Sequence, residues 1–96
     1  MLRQGDLILK KVDEQVTGQP VKQLVIAEGE VTGHNHVLIA EAGSKIVGDK
    51  TKFTLTGKAK LVHPEHDTIP MSAGTYVVLT EREFDYVGNE MRAVQD

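Results

Sequence analysis

The stretch Gln23–Glu41, QLVIAEGEVTGHNHVLIAE, is the most informative part of the chain for its architecture, because it contains two nearly identical apolar runs. The first run is Leu24-Val25-Ile26-Ala27-Glu28 and the second is Val37-Leu38-Ile39-Ala40-Glu41. Runs rich in Val and Ile favour strands. Two copies are too few for a solenoid, which needs at least about three repeats. We therefore expect two similar strands in one sheet.

The composition of the whole chain also favours strands. Val, Ile and Thr supply 25 of the 96 residues, and nine glycines punctuate the sequence from Gly5 to Gly88. The pattern predicts strands near Asp6–Val12, Gln23–Ala27, His34–Glu41, Thr51–Leu55, Lys58–His63, Gly74–Thr80, Arg82–Val87 and Glu90–Val94. Gly57 either turns a hairpin or bends one longer strand. The sequence thus predicts one all-β domain over residues 1–96, a compact small barrel or sandwich of about seven to eight short strands.

Size and charge exclude several classes of function. A net charge of −3 argues against sequence-independent binding of duplex DNA. The apolar runs are far shorter than the roughly 20 residues that span a bilayer, and the N-terminus lacks the apolar run of a signal peptide. With no cysteine, disulfides and thiolate metal sites are excluded. We expect a cytoplasmic protein without a membrane or duplex nucleic acid partner.

All four histidines fall in two short motifs, Gly33-His34-Asn35-His36 and His63-Pro64-Glu65-His66. On a strand, side chains at i and i+2 share a face, so His34 and His36 point the same way. Pro64 disfavours a helix and favours a turn, across which His63 and His66 can converge. We expect the two motifs to lie close enough to share one phosphate or one metal ion.

A metal site is one interpretation of these histidines, because imidazole is the commonest metal ligand. Gly29, His34, His36 and Glu41 form G-x4-H-x-H-x4-E, which is close to the first cupin motif but one residue shorter after the glycine. The second cupin motif is not matched, and the odd spacing places Glu41 and His36 on opposite faces of a regular strand. Zinc or another transition metal, bound by His34, His36, His63 and His66, stays an alternative.

Proton transfer without a cofactor is the preferred interpretation. Cleavage of RNA through its own 2′-hydroxyl needs a base for that hydroxyl and an acid for the leaving 5′-oxygen, and two histidines fill both roles. We predict His34 and His66 as this pair, with His36 and His63 orienting them or binding phosphate. Charge that develops on the phosphate needs a cation. The candidates are Arg3, Arg82 and the five lysines between Lys45 and Lys60, which are alternatively a solvated face.

Four segments together resemble a known family: Arg3-Gln4-Gly5-Asp6, Glu28–His36, Leu61–His66 and Glu81-Arg82-Glu83-Phe84-Asp85. They are similar to the small homodimeric ring nucleases linked to type III-D CRISPR systems, which also occur on phages and plasmids. The resemblance implies a β-rich homodimer that cleaves cyclic oligoadenylates without a metal. A ligand sponge or phage accessory protein without catalysis is the alternative.

The site expected from the chemistry and the resemblance has two parts. The catalytic candidates are His34, His36, His63 and His66. The candidates for substrate binding are Arg3, Gln4, Thr32, Tyr76 and Arg82. Among these, Thr32 is placed to hydrogen-bond a phosphate, and Tyr76 either stacks on a base or fills the core.

Overall fold

The chain forms a sandwich of two antiparallel sheets. The computed structural model describes residues 1–5, 7–27 and 35–80, and nine strands lie within them. They are β1 (Leu2–Gln4), β2 (Leu7–Val12), β3 (Gln23–Ala27), β4 (His36–Ala40), β5 (Ile46–Gly48), β6 (Lys52–Leu55), β7 (Ala59–His63), β8 (His66–Met71) and β9 (Gly74–Thr80). The first sheet has the order β1-β2-β9-β6-β5, and the second has the order β3-β4-β7-β8. The predicted all-β fold is confirmed.

One apolar core fills the space between the sheets. Leu9 and Phe53 reach it from the first sheet, while Leu38 and Leu61 reach it from the second. Each of the four side chains is at most 1% exposed. Complete burial of one such side chain stabilises the fold by roughly 1.5–3 kcal/mol relative to exposure. The core therefore holds the two sheets face to face.

The two similar apolar runs lie in one sheet, as predicted, and the structure shows that they pair with each other. β3 and β4 are antiparallel neighbours, with Leu24 opposite Leu38 and Val25 opposite Val37. The register shifts between Val25 and Ala27, and Ile26 faces the core on the same side of the strand as Leu24. The repeat in the sequence is thus one pair of strands in the second sheet.

The segment around Gly57 carries the chain from one sheet to the other, so neither of the two predicted geometries applies. β6 belongs to the first sheet and β7 to the second. A Cβ atom at Gly57 would overlap Ser44 Oγ. A glycine is therefore needed where the crossing segment passes close to Ser44.

Three described strands were not expected from the sequence, namely β1, β5 and β8. β1 and β5 contain three residues each, which is too short for a recognisable alternation. β8 is an edge strand with mostly exposed residues and a proline at position 70, so it lacks both the apolar alternation and the composition typical of a strand.

The predicted strands Arg82–Val87 and Glu90–Val94 lie outside the described residues. In the described ranges, no helix is long and apolar enough to cross a membrane.

Candidate histidine site

Three histidines lie together at one end of the second sheet. β4 begins at His36, β7 ends at His63 and β8 begins at His66. The ring centroids of His36 and His63 are 4.4 Å apart, and those of His63 and His66 are 4.5 Å apart. The rings of His36 and His66 are nearly parallel, with centroids 6.2 Å apart. These distances confirm the prediction that the two histidine motifs converge.

Strand register explains why the rings meet. His63 lies directly opposite His66 in the β7–β8 hairpin, whose turn is Pro64-Glu65. Proline restricts its own φ to about −65°, which suits the first central position of a tight turn. In the neighbouring pair of strands Val37 is opposite Val62, so His36 comes beside His63 on the same face. The three rings thus form one histidine row across β4, β7 and β8.

The histidine row leads from the core to the solvent. His36 and His63 are 5% and 9% exposed, while His66 is exposed. His36 precedes the core residue Leu38 by two positions on β4, which places both on the inner face. A ligand therefore reaches the row from the side of His66.

Gln4 joins the first sheet to the histidine row. Its buried amide nitrogen Nε2 donates to the carbonyl oxygens of Leu61, at 3.0 Å, and Asp67, at 2.8 Å. Its Oε1 lies 2.8 Å from His36 Nδ1. Since both amide hydrogens bind carbonyl oxygens, Oε1 acts as the acceptor and His36 Nδ1–H donates. Gln4 thereby sets which nitrogen of His36 carries the proton.

The turn sets the tautomer of His63 in a different way. The backbone N–H of Glu65 donates to His63 Nδ1 at 3.0 Å. An imidazole nitrogen that accepts a hydrogen bond carries no proton. The proton of His63 therefore lies on Nε2, and the ring is neutral while this hydrogen bond is present. His36 and His63 thus have opposite tautomers.

Gly5 provides the surface against which His66 packs. It has φ of +62°, and a Cβ atom built on it would lie 2.7 Å from His66 Nε2. The carbonyl oxygen of Gly5 accepts a hydrogen bond from Arg3 Nε at 3.2 Å. The opening segment Arg3-Gln4-Gly5 therefore borders the histidine row. Two of its residues, Arg3 and Gln4, are predicted to bind substrate.

The structure does not place the remaining predicted site residues in the histidine row. Tyr76 is buried in the core, where its ring stacks on Phe53 and its hydroxyl donates to the carbonyl of Ser72 at 2.9 Å. The structure therefore does not bring Tyr76 to the histidine row, and its part in binding stays a prediction. Three of the predicted site residues lie outside the described residues: Thr32, His34 and Arg82.

The lysines between residues 45 and 60 are spread over several elements. Lys52 pairs with Glu14, and Lys60 faces outward from β7. Lys50 lines an open groove together with Ala27, the residue of β3 that is paired with His36. Lys50 therefore shares a groove with the strand that pairs with β4, and its part in binding stays a prediction.

The geometry excludes the cupin-like form of the metal site. Glu41 follows the last residue of β4, whereas His36 is its first, so the two lie about 16 Å apart at roughly 3.3 Å per residue. Glu41 and His36 therefore cannot bind one ion together, as the cupin-like motif requires. Among the described residues, no group of three His, Asp or Glu side chains is arranged to hold a metal ion. A zinc site that includes His34 stays a prediction.

Sequence reasoning missed the contact between Gln4 and His36. Gln4 was predicted to bind substrate, but its amide hydrogens are used within the protein. β1 is a three-residue strand, so its pattern alone does not show which side chain faces inward. The partners of Gln4 also lie far along the chain, which leaves no local signal.

Comparison with known proteins gives a family without an assigned activity. No curated protein and no solved structure matches the chain. One family model, described as a domain of unknown function, matches residues 3–81, which include every described residue of the histidine site. The chain therefore belongs to the DUF8820 family.

Proposed function

We propose that the protein is a metal-independent phosphodiesterase that opens cyclic oligoadenylates by attack of a 2′-hydroxyl on the neighbouring phosphate. The observation that carries this proposal is the histidine row, with three imidazole rings 4.4–6.2 Å apart at an end of the sandwich that reaches solvent. Imidazole transfers protons near neutral pH, and this reaction needs both a proton acceptor and a proton donor.

The reaction conserves protons over the whole step. A neutral imidazole takes the proton of the 2′-hydroxyl as the 2′-oxygen bonds to phosphorus. The bond from phosphorus to the 5′-oxygen breaks, and an imidazolium gives its proton to that oxygen. The products are a linear oligoadenylate with a 2′,3′-cyclic phosphate at one end and a 5′-hydroxyl at the other. Neither a metal nor an external nucleophile is required.

A cation that borders the row supports the choice of a polyanionic substrate. Arg3 donates to the carbonyl oxygen of Gly5, which lies against His66, and Lys50 lines a groove that includes Ala27. Either side chain, or Arg82, would stabilise the charge that develops on the phosphate. Cyclic oligoadenylate itself comes from the resemblance of four segments to small ring nucleases. Each linkage of that ring carries a 2′-hydroxyl beside a phosphate, as the reaction needs.

The proposal includes a cytoplasmic homodimer that binds neither duplex nucleic acid nor a membrane. A cyclic oligoadenylate has rotational symmetry, and a two-fold dimer presents two copies of one site to such a ring. A net charge of −3 is consistent with a small anionic ligand bound locally and does not favour long nucleic acid.

The test is cleavage of synthetic cyclic tetra-adenylate and hexa-adenylate by the purified protein in the presence of EDTA. We expect linear products with a 2′,3′-cyclic phosphate and a bell-shaped dependence of the rate on pH. Replacement of His66 by alanine should slow cleavage by about 10²–10⁴-fold, the usual contribution of a general acid or base. Gln15→Ala, at an exposed position away from the histidines, is the matched control.

Three results would redirect the proposal. Activity that EDTA abolishes and zinc restores would favour the histidine metal site. Tight binding of the ring without turnover would make the protein a sponge. Absence of both binding and cleavage would remove cyclic oligoadenylates as the ligand.

A further inference from the structure

We infer that the three described histidines have different roles: His36 accepts the proton, His66 donates the proton, and His63 stays neutral as a hydrogen-bond donor. This inference rests on the proposed function for its chemistry, but its structural part does not depend on any substrate. It replaces the predicted pair of His34 and His66 by His36 and His66.

The role of His36 follows from Gln4. The amide of Gln4 cannot rotate to present its nitrogen to His36 without losing the hydrogen bonds to Leu61 O and Asp67 O. Buried polar groups left without a hydrogen bond are unfavourable, so the observed orientation is strongly preferred. His36 Nδ1 therefore keeps its proton, and Nε2 is the atom that gains or loses one. Gln4 acts as a positioning residue for His36.

The role of His63 follows from the Pro64-Glu65 turn. Protonation of His63 Nδ1 would place an N–H against the N–H of Glu65 and break the bond between them. His63 also lies beside both other rings, His36 on β4 and His66 on β8. While the hydrogen bond from Glu65 is present, His63 carries its proton on Nε2 and acts as a donor rather than as the group that exchanges protons with a substrate.

The role of His66 follows from its exposure and from the arrangement of the rings. The three centroid distances form a nearly right-angled triangle with His63 at the corner. The rings of His36 and His66 are also nearly parallel, with an interplanar angle of 11°. A phosphate bound over the open side of the row would have one imidazole on the side of the 2′-oxygen and the other on the side of the 5′-oxygen. Solvent access lets His66 recover its proton after each turnover.

Nitrogen NMR of the imidazole side chains tests the structural part directly. In protein labelled with ¹⁵N-histidine, we expect His63 to show a protonated Nε2 and an unprotonated Nδ1, and neutral His36 to show the reverse pattern. Gln4→Leu, which removes the acceptor, should allow the other tautomer of His36, whereas Gln4→Glu should keep Nδ1 protonated. A His63 with a protonated Nδ1 in the native protein would overturn the inference.

Kinetics with glutamine variants test the roles. Glutamine places an amide N–H near the position of histidine Nε2 but transfers no proton. His36→Gln and His66→Gln should each lower kcat/KM by about 10²–10⁴-fold and remove one limb of the pH profile. His63→Gln should keep both limbs and lose less than about 10-fold, the scale of one altered hydrogen bond.

The two proposals fail in different ways. A loss for His63→Gln as large as for His36→Gln, together with a missing limb of the pH profile, would contradict the neutral role of His63. If the native protein cleaves no oligoadenylate, the proposed function fails, and the NMR tautomers alone then confirm or reject the assignment of His36 and His63.

Discussion

At the scale of single residues, the position of His66 depends on the absence of a side chain at Gly5. Gly5 has positive φ, and its missing Cβ leaves the space that the His66 ring occupies. An alanine in the left-handed region costs about 1–2 kcal/mol. The Nε2 edge of an exposed ring can move aside, so the added methyl group should displace His66 and leave the rest of the fold unchanged.

We therefore predict that Gly5→Ala lowers stability modestly and slows cleavage by up to about 10²-fold, as expected when a reacting group is displaced by roughly 1 Å. Gly43→Ala is the matched control, because Gly43 also has positive φ, at +83°, but no atom lies within 4 Å of its Cβ position. Urea unfolding should show similar losses for both variants, while only Gly5→Ala should shift the His66 NMR signals. Equal shifts in Gly43→Ala would contradict this account.

At the scale of elements, the turn between β5 and β6 is held by one carboxylate. Asp49 accepts hydrogen bonds from Thr51 Oγ1 at 2.6 Å, from Thr51 N at 2.9 Å and from Lys52 N at 3.2 Å. These bonds favour the charged carboxylate and hold the pKa of Asp49 below its ordinary value of 3.8, with the side-chain bond from Thr51 contributing most. A lowered pKa means that the ionised form stabilises the folded turn.

The sign of the pH effect follows from that shift. Because the folded pKa lies below the unfolded value, the stabilisation is fully present above pH 3.8 and is lost as pH falls through the lowered folded value. Asp49→Ala should therefore unfold more easily than the native protein at neutral pH, and the difference should shrink in strong acid. Asp13→Ala removes the same charge from another exposed position and serves as the control. Denaturant unfolding at several pH values measures the effect, and a difference that persists in strong acid would argue against it.

At the scale of the whole molecule, a row of three valines crosses the outer face of the second sheet. Val25, Val37 and Val62 lie in one row across β3, β4 and β7, and Val25 is 40% exposed. The outer face of an antiparallel sheet is normally polar, and an exposed apolar row indicates an interaction surface. The proposed homodimer would cover this row with the same row of a second copy, as a two-fold axis requires.

Sedimentation velocity at micromolar concentration should then give the mass of a dimer. Val25→Asp should shift the protein to the monomer, since a charge buried in the contact is left without a partner. Gln15→Asp adds the same charge outside the sheets and should leave the dimer intact. A native protein that sediments only as a monomer would rule out the dimer. A dimer that survives Val25→Asp would place the interface elsewhere.

Features that depend on neighbours in the sequence were correctly predicted from the sequence. The place of β3 and β4 in one sheet follows from two similar apolar runs, and the approach of His63 to His66 follows from a proline in a two-residue turn. In both cases the information lies within about 20 residues, where turn chemistry and strand alternation act directly.

Features that join the two sheets could not be predicted in this way. Gln4 meets its partners across separations of 32, 57 and 63 residues, and its role emerges only when β1 packs against the second sheet. For Tyr76 the sequence left two alternatives, and the structure places its ring in the core. Packing between sheets is set by the shape and burial of many distant side chains at once, so no short pattern encodes it. The tautomers of His36 and His63, and with them the division of roles, therefore come from the folded structure.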